Sequence, residues 1–347
     1  MKDHGKRRVG VASPRRRVLV KAGAALGGFA AGMPLLATGQ SSAAAPPGVA
    51  PGWPSRAVRV VVPFGPAGTA DILGRIIAQQ LALQLAQPFV VENRPGAGTT
   101  IGAAEVAKSP ADGYTMMVVT PSFAIAQYVY PNLPYDGPKD FIPVALLMTT
   151  PLMLVVNPKT GFRTTRDFIN AAKASPGRIS FASAGSGSTP HLAFELFKIQ
   201  AGVDLLHVPY KGGGEAVTSV LSGTTDAYFS APIESGPHVR AGTMVALGAS
   251  SLKRTPGLPD LPTIAETDLP GFEVTHYTSV LVRSGTPPDI VAKLSDNIVR
   301  AIQAPDVRDK VAQNGDVPQG TRAEAADLYA REYERWARAV KVANVKP

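Results

Sequence analysis

The spacing of apolar positions changes repeatedly along residues 57–342. Short runs rich in Val and Ile, typical of buried strands, alternate with longer segments in which apolar residues recur every three or four positions, as in helices. This alternation favours an α/β fold with parallel sheets covered by helices. The predicted strands span residues 57–62, 89–92, 114–119, 152–156, 178–182, 205–208, 226–230 and 244–249. The predicted helices span residues 69–86, 99–108, 164–174, 190–201, 213–222, 288–303, 305–314 and 321–342.

The first junction between a strand and a helix has an unusually bare backbone. It lies in VRVVVPFGPAGTADILGRIIAQQLALQL (58–85), where Gly65, Ala67 and Gly68 precede the helix. The first turn of a helix carries free N–H groups and a partial positive charge, so it suits an anion. Asp71 falls in that turn, where it either complements the helix dipole or contacts a donor group of a ligand.

Two further junctions repeat this design. They are RISFASAGSGSTPHLAFELF (178–197) and LLHVPYKGGGEAVTSVL (205–221). In the first of these, Thr189 suits the N-cap and Pro190 the first helical position, while Ser186 and Ser188 add hydroxyl donors. Neither the Walker A motif nor a dinucleotide fingerprint occurs, so the three junctions indicate anion binding without a nucleotide motif.

Residue combinations typical of catalysis or metal binding are scarce. The G-x-S-x-G elbow is absent, and none of the five histidines is paired at metal-ligand spacing. His191 is either a polar residue near a helix start or a ligand contact, whereas His207 falls within an apolar strand and is expected in the core. Lys211 either meets an anion or lies on the surface. We therefore predict no catalytic residue, metal or cofactor.

The N-terminus has the three-part pattern of a secretory signal. Basic residues precede an uncharged run at 22–37, and small residues follow at 41–45. The run has 16 residues, against about 20 for a membrane-spanning helix, which favours a cleaved signal over an anchor. The segment PRRRVLVK (14–21) resembles a twin-arginine signal with Arg16 and Arg17 as the pair. Cleavage is expected after Ala43 or Ala44.

Removing residues 1–45 changes the charge balance. They hold eight Lys or Arg residues and one Asp, which leaves 27 basic and 25 acidic residues in the remainder. Nucleic-acid binding thereby loses its support from composition. The absence of cysteine excludes disulfides and Cys-ligated metals. Residues 46–54 indicate a linker, and the length that follows suggests two domains or one large domain.

Four segments resemble the tripartite tricarboxylate transporter receptor family, also called Bug-type extracytoplasmic solute receptors. They occur in the family's order and spacing, and the similarity covers about residues 53–345. The segments are WPSRAVRVVVPFGPAGTADILGRIIAQQL, FVVENRPGAGTTIGAAEVAKSPADGYT, FASAGSGSTPHLAFELF and VPYKGGGEAVTSVLSGTTDAYF. A fifth stretch, LPTIAETDLPGFEV (261–274), also fits.

The resemblance implies a two-lobed periplasmic binding protein of the crossed-strand type, with parallel or mixed sheets. Domain 1 would comprise residues 55–150 plus 280–347, and domain 2 residues 151–279. The chain would cross near 151–156 and return near 274–282. In this family a small carboxylate is held between the lobes by the loop after the first strand and the Ser/Gly loop of domain 2. Carried over, the ligand-binding residues are Phe64, Gly65, Pro66, Ala67, Gly68, Asp71, Thr120, Ser122, Ala184, Gly185, Ser186, Gly187, Ser188, Thr189 and His191, with Tyr210 and Asp226 as weaker candidates.

Two departures from the family pattern bear on the site. Ala67 stands where many members have Gly, and we expect its N–H to stay free. THYTSVLV (275–282) replaces a stretch that often holds Trp and Gly, which leaves the hinge and the cleft rim undefined.

The resemblance implies a periplasmic receptor that delivers its ligand to membrane permease subunits, and a monomer is the default state for such a diffusing receptor. A ligand-loaded partner of a sensor kinase is the alternative, and an enzyme on the same fold is a third reading.

Overall fold

The computed structural model describes residues 52–346, where ten strands and twelve α-helices alternate. The strands are β1 (Val58–Val62), β2 (Phe89–Asn93), β3 (Thr115–Val119), β4 (Phe141–Pro151), β5 (Met153–Val156), β6 (Ser180–Ser183), β7 (Leu206–Pro209), β8 (Ala227–Ser230), β9 (Val245–Ala249) and β10 (Thr275–Arg283). The predicted signal at residues 1–45 and most of the predicted linker lie outside the described residues.

The helices cover both faces of the strands. They are α1 (Thr69–Leu85), α2 (Thr100–Ala107), α3 (Ser122–Val129), α4 (Gly137–Asp140), α5 (Thr165–Ala174), α6 (Thr189–Ala201), α7 (Gly213–Ser222), α8 (Pro232–Arg240), α9 (Ile264–Thr267), α10 (Pro288–Gln303), α11 (Pro305–Ala312) and α12 (Arg322–Ala343). All eight predicted strands and all eight predicted helices are confirmed within a few residues.

The first sheet has the order β2-β1-β3-β10-β4. Strand β1 pairs in parallel with β2 and β3, whereas β10 is antiparallel to β3 and β4. Strand β3 is buried along its whole length and β1 almost so, as expected of central strands with helices on both faces.

The second sheet has the order β7-β6-β8-β5-β9. Strand β6 is parallel to β7 and β8, and β5 is antiparallel to β8 and β9. Its core includes a cluster of aromatic rings, among them Phe181, Phe194, Phe197, Phe229 and Phe272. Both sheets are therefore mixed, and the predicted two-lobed α/β fold is confirmed.

Ser250 links the two segments that join the sheets. The chain leaves the first sheet when β4 ends at Pro151 and enters the second when β5 begins at Met153, and it returns at the start of β10. The Ser250 hydroxyl accepts the Leu152 N–H at 2.9 Å and donates to the Val274 carbonyl at 2.6 Å. Because Ser250 is fully buried, one side chain holds both crossing segments together.

Candidate functional site

Five helices begin around one cavity between the two sheets. The space between its lining residues is about 310 Å³, part of it open to solvent, and the starts of α1, α3, α6, α7 and α8 contribute to its wall. We call it the inner cavity. Its lining residues are Phe64, Gly68, Thr69, Ala70, Thr120, Ser122, Ala184, Pro190, Gly213, Tyr228, Glu234 and His276. Helix starts direct N–H groups and partial positive charge outward, so this arrangement can hold polar or anionic groups.

Small residues at the junctions let the two sheets approach each other. A Cβ on Gly68 would lie 3.2 Å from the Gly213 nitrogen, and a Cβ on Gly212 would lie 2.8 Å from the Gly65 nitrogen. The Gly65 N–H donates to the Lys211 carbonyl at 2.9 Å. The bare backbone therefore serves direct contact between the two loops as well as access to the cavity.

A pair of hydroxyl residues joins the starts of α3 and α6. Ser122 Oγ accepts the Thr189 N–H at 3.1 Å and lies 3.2 Å from Thr189 Oγ1. Thr120 donates its hydroxyl to the same Ser122 oxygen at 3.1 Å. One free N–H at the start of α6 is thus satisfied from the first sheet's side of the cleft.

A second cavity of about 840 Å³ adjoins the first, because Phe64 and Ala184 line both. We call it the outer cavity. The phenol of Tyr130 crosses it and donates to the Ser186 carbonyl at 2.9 Å. Its lining residues are Pro63, Phe64, Gly96, Ala97, Gly98, Thr99, Tyr130, Ala184, Gly185, Ser186, Pro209, Tyr210, Lys211 and Glu215. Lys211 supplies a cation at this wall, and Glu215 accepts its backbone N–H at 3.1 Å.

The structure brings many of the predicted site residues together around these cavities. Phe64, Gly68, Thr120, Ser122 and Ala184 line the inner cavity. Gly185, Ser186 and Tyr210 line the outer cavity. The others lie alongside: Gly65 and Thr189 bond across the sheets, Pro66 and Ala67 line a shallow groove with Tyr210, and Gly187 and Ser188 lie in the loop before α6.

Asp71 lines neither cavity, because its carboxylate is engaged within the first sheet's helices and loops. It accepts the Ala67 N–H at 2.9 Å, two hydrogen bonds from Arg75, and the Asn93 amide at 2.9 Å. Burial would raise the pKa of Asp71, but the hydrogen bonds from Arg75, Ala67 and Asn93 outweigh it and lower that pKa. The expectation that the Ala67 N–H stays free is therefore wrong, because Asp71 accepts it.

His191 also lines neither cavity and instead braces the loop before α6. Its Nδ1 accepts the Gly187 N–H at 3.1 Å, and its ring stacks on His207 with 3.8 Å between centroids. Burial lowers the pKa of His191 to about 3, with smaller contributions from His207 and Lys198. His207 in turn lies 2.7 Å from Ser183 Oγ, so it belongs to this packed set rather than to the site.

Asp226 directly precedes β8, at the amino-terminal ends of β6 and β8 in the second sheet. Its carboxylate accepts the Ser180 N–H and hydroxyl, both at 2.8 Å, where β6 begins. The inner cavity adjoins the carboxyl-terminal ends of these two parallel strands. The strands therefore separate Asp226 from the cavity.

Sequence reasoning missed Glu234, the half-buried carboxylate that lines the inner cavity. Oε1 accepts both the N–H and the hydroxyl of Thr69, at 2.7 and 2.8 Å. Oε2 accepts the hydroxyls of Tyr228 and Ser230, each at 3.2 Å. Burial raises the pKa of Glu234, and these hydrogen bonds oppose that rise. A lone acid in the first turn after an apolar strand and a proline was the only local signal.

His276 was missed as well, because its strand β10 was not among the predicted strands. The imidazole is 5% exposed and lines the inner cavity. Within residues 52–346, neither ring nitrogen has a hydrogen-bond partner. Burial lowers the pKa of His276 to about 4, so the ring is neutral at neutral pH.

The described residues contain no group of three or more His, Asp or Glu side chains placed to hold a metal ion. None of their helices is both long enough and apolar enough to cross a membrane.

A comparison of the sequence with known protein families shows which family this chain resembles. The sequence profile described as "Tripartite tricarboxylate transporter family receptor" matches residues 73–345. The chain belongs to this receptor family. The predicted resemblance is thereby confirmed, and with it the prediction of a solute-binding receptor.

Two relatives are similar to this chain over most of their own length. The receptor is 41% identical over 286 residues to the "UPF0065 protein in tcbD-tcbE intergenic region" of Pseudomonas sp. strain P51, covering 82% of this chain and 85% of the relative. It is 36% identical to protein BugT of Bordetella pertussis, covering 85% and 91% of the two chains.

Two solved structures share the fold along nearly their whole length. A Rhodopseudomonas palustris protein determined with adipate has a TM-score of 0.81 and 34% identity, and the match covers 85% of this chain and 99% of that one. The MatC protein of the same organism, determined with bound malate, has a TM-score of 0.79 and 33% identity, with coverage of 83% and 100%.

Proposed function

We propose that this receptor captures a small carboxylate in the periplasm and delivers it to the membrane subunits of a tripartite tricarboxylate-type transporter. The observation that carries the proposal is the cavity between the two sheets that Gly185, Ser186 and Lys211 line and that Tyr130 bridges by its hydrogen bond to Ser186. Relatives determined with adipate and malate support a carboxylate as the ligand. Family membership supports the transporter as the partner.

The carboxylate of the ligand belongs in the outer cavity, against the Ser/Gly loop. Gly185 and Ser186 form the wall there, Tyr130 closes over it, and Lys211 supplies the positive charge. Hydrogen bonds to a charged group contribute roughly 1.5–3 kcal/mol each, while micromolar affinity needs about 8 kcal/mol. A few such contacts therefore suffice. The rest of the ligand extends past Phe64 and Ala184 into the inner cavity.

The proposed binding set follows from this placement. From the sequence-predicted residues it retains Phe64, Gly65, Pro66, Ala67, Gly68, Thr120, Ser122, Ala184, Gly185, Ser186, Gly187, Ser188, Thr189 and Tyr210. It gives Asp71, His191 and Asp226 supporting roles, because their polar atoms are engaged inside one sheet's own packing.

The proposal also assigns two domains that close on the ligand. Residues 55–150 and 280–347 form one domain and 151–279 the other, with the crossing segments at Leu152 and Val274 as the hinge. Both crossing segments form hydrogen bonds with Ser250, so they lie side by side. This supports a hinge at this point, because a rotation between the domains needs only a few residues here to change their backbone angles.

Native mass spectrometry of freshly purified protein, followed by calorimetry with adipate, malate and any copurified compound, tests this function. We expect a carboxylate to copurify or to bind with micromolar affinity. Failure of every carboxylate to bind, together with tight binding of a cation or a sugar, would contradict the proposal.

Export requires its own test. We propose that Arg16 and Arg17 direct the folded chain through the twin-arginine route. Replacing both with Lys should keep the protein out of the periplasm, as measured by cell fractionation and immunoblotting. Unchanged export of the doubly substituted protein would reject this route.

A further inference from the structure

Among the described residues, the lining of the inner cavity holds one acidic side chain, Glu234, and no Lys or Arg. All four hydrogen bonds to Glu234 come from Thr69, Tyr228 and Ser230, two to each oxygen. The carboxylate is therefore fixed in place, and the start of α1 already has its anion.

A second carboxylate of a ligand would meet an unfavourable environment in this cavity. It would lie beside Glu234, between the two sheets, where like charges repel each other. His276 cannot balance that charge at neutral pH, because burial keeps its ring uncharged.

His276 shows which kind of group fits instead. A neutral imidazole has one donor and one acceptor nitrogen, and buried polar atoms are nearly always hydrogen-bonded. Within the part of the chain that the structure describes, both nitrogens of this buried ring are without partners, and the ring lines the cavity. The missing partner is therefore a group that can both accept and donate a hydrogen bond.

We infer that the inner cavity selects an uncharged hydrogen-bonding group, such as an amide or hydroxyl, at the far end of a monocarboxylate, and that Glu234 and His276 determine this choice. The inference rests on the proposed carboxylate function and narrows it. The ligand's carboxylate lies in the outer cavity, and its neutral end meets His276.

Calorimetry with matched ligands tests the inference on the unmodified protein. Succinate and adipate are each compared with their monoamides at pH 7, so that each pair differs only in one charged end. We expect the better-fitting monoamide to bind about tenfold tighter than its diacid.

Two variants assign the preference to its residues. Glu234→Gln removes the negative charge and should raise diacid affinity about tenfold relative to the monoamide. His276→Phe keeps a planar ring but removes both nitrogens, so it should weaken the monoamide more than the diacid and reduce the difference between them. Glu334→Gln, on the exposed face of α12, is the matched control and should change neither affinity. Thermal unfolding of each variant shows whether it is folded.

The outcomes separate the inference from the proposed function. A monoamide preference that is reduced in both variants supports the inference. A diacid that binds as tightly as its monoamide overturns it and leaves the carboxylate function standing. Failure of all four compounds to bind, when native mass spectrometry finds a non-carboxylate ligand, overturns the function and the inference together.

Discussion

Thr69 donates two hydrogen bonds to Glu234, from its backbone N–H at 2.7 Å and from its hydroxyl at 2.8 Å. Thr69 begins α1 beside the first sheet, whereas Glu234 lies in the first turn of α8 beside the second. The chain thus supplies from one lobe the anion that a helix start on the other lobe favours. This contact therefore joins the two sheets at the wall of the inner cavity.

Removing the Thr69 hydroxyl should weaken closure. In Thr69→Val the Glu234 carboxylate loses one of its four hydrogen-bond donors, and a hydrogen bond to a charged group contributes roughly 1.5–3 kcal/mol. We expect calorimetry to show about tenfold weaker binding of the tightest carboxylate ligand.

Thr243→Val is the control, because Thr243 is exposed, lies in the turn after α8 and donates to the His238 carbonyl of that helix. If Thr69→Val and Thr243→Val bound the ligand equally well, the Thr69–Glu234 contact would have no part in ligand capture.

Ser122 should also contribute to the closed cleft. Ser122→Ala leaves the Thr189 N–H without its acceptor, and an unsatisfied buried donor costs about 1–3 kcal/mol. Because this hydrogen bond joins the two sheets, we expect the substitution to lower ligand affinity without unfolding either lobe of the protein. Small-angle scattering should show a larger radius of gyration for the variant in the presence of ligand.

Ser284→Ala is the comparison for that experiment, since Ser284 is half-buried and its hydroxyl donates to the Lys139 carbonyl beside the same sheet. Identical scattering curves for the two variants with ligand would argue against a role for Ser122 in closure.

Ser250→Ala should destabilise the hinge. The substitution removes a donor to Val274 and leaves the buried Leu152 N–H without an acceptor. We expect the free energy of unfolding in urea to fall by about 1–3 kcal/mol. Ser222→Ala, which removes a hydroxyl bonded within its own helix turn, should change it much less. Equal stabilities would mean that the crossing segments are held by other contacts.

Acid should destabilise the second lobe through its stacked histidines. Burial lowers the folded-state pKa of His191 to about 3 and of His207 to about 4. In the unfolded chain both histidines bind a proton near pH 6.5, whereas in the folded chain they stay neutral at that pH. As the pH falls below 6.5, protonation therefore favours the unfolded chain over the folded one. Stability contributed by these rings is therefore present above about pH 6.5 and decreases towards pH 4.

Urea unfolding between pH 7 and pH 4 measures this effect. A histidine that stays neutral over that range costs on the order of 3 kcal/mol at the acid end. His207→Gln should flatten the profile, whereas His238→Gln, near the end of α8, should leave it steep. A profile of equal slope in both variants would exclude His207 as a cause.

The local features of the fold could be predicted from the sequence, because their signals are local. The helix that starts after Gly68 and the one that starts near Thr189 follow from apolar spacing and from glycine and proline at the junctions. Strand β4 was missed, along with α3, α8 and the short α4 and α9, and β10 was expected only as the returning crossing segment near 274–282. The two strands form the long antiparallel pair that carries the chain between the sheets.

The chemistry of the inner cavity could not be predicted, because it depends on distant pairs. Thr69 and Glu234 are 165 positions apart, and nothing near either residue indicates the other. The same holds for Asp71. Its hydrogen-bond partner Asn93 lies 22 positions away in the sequence, and this bond engages a carboxylate that the sequence predicted as a ligand contact. Long-range pairing decides which polar groups remain available.

A crystal structure of the protein with the tightest-binding carboxylate from calorimetry tests the central claim most directly. The account predicts one ligand between the sheets, with its carboxylate against Gly185 and Ser186 and its other end between Thr120 and His276. A ligand bound to one sheet alone, or lying outside both cavities, would contradict it.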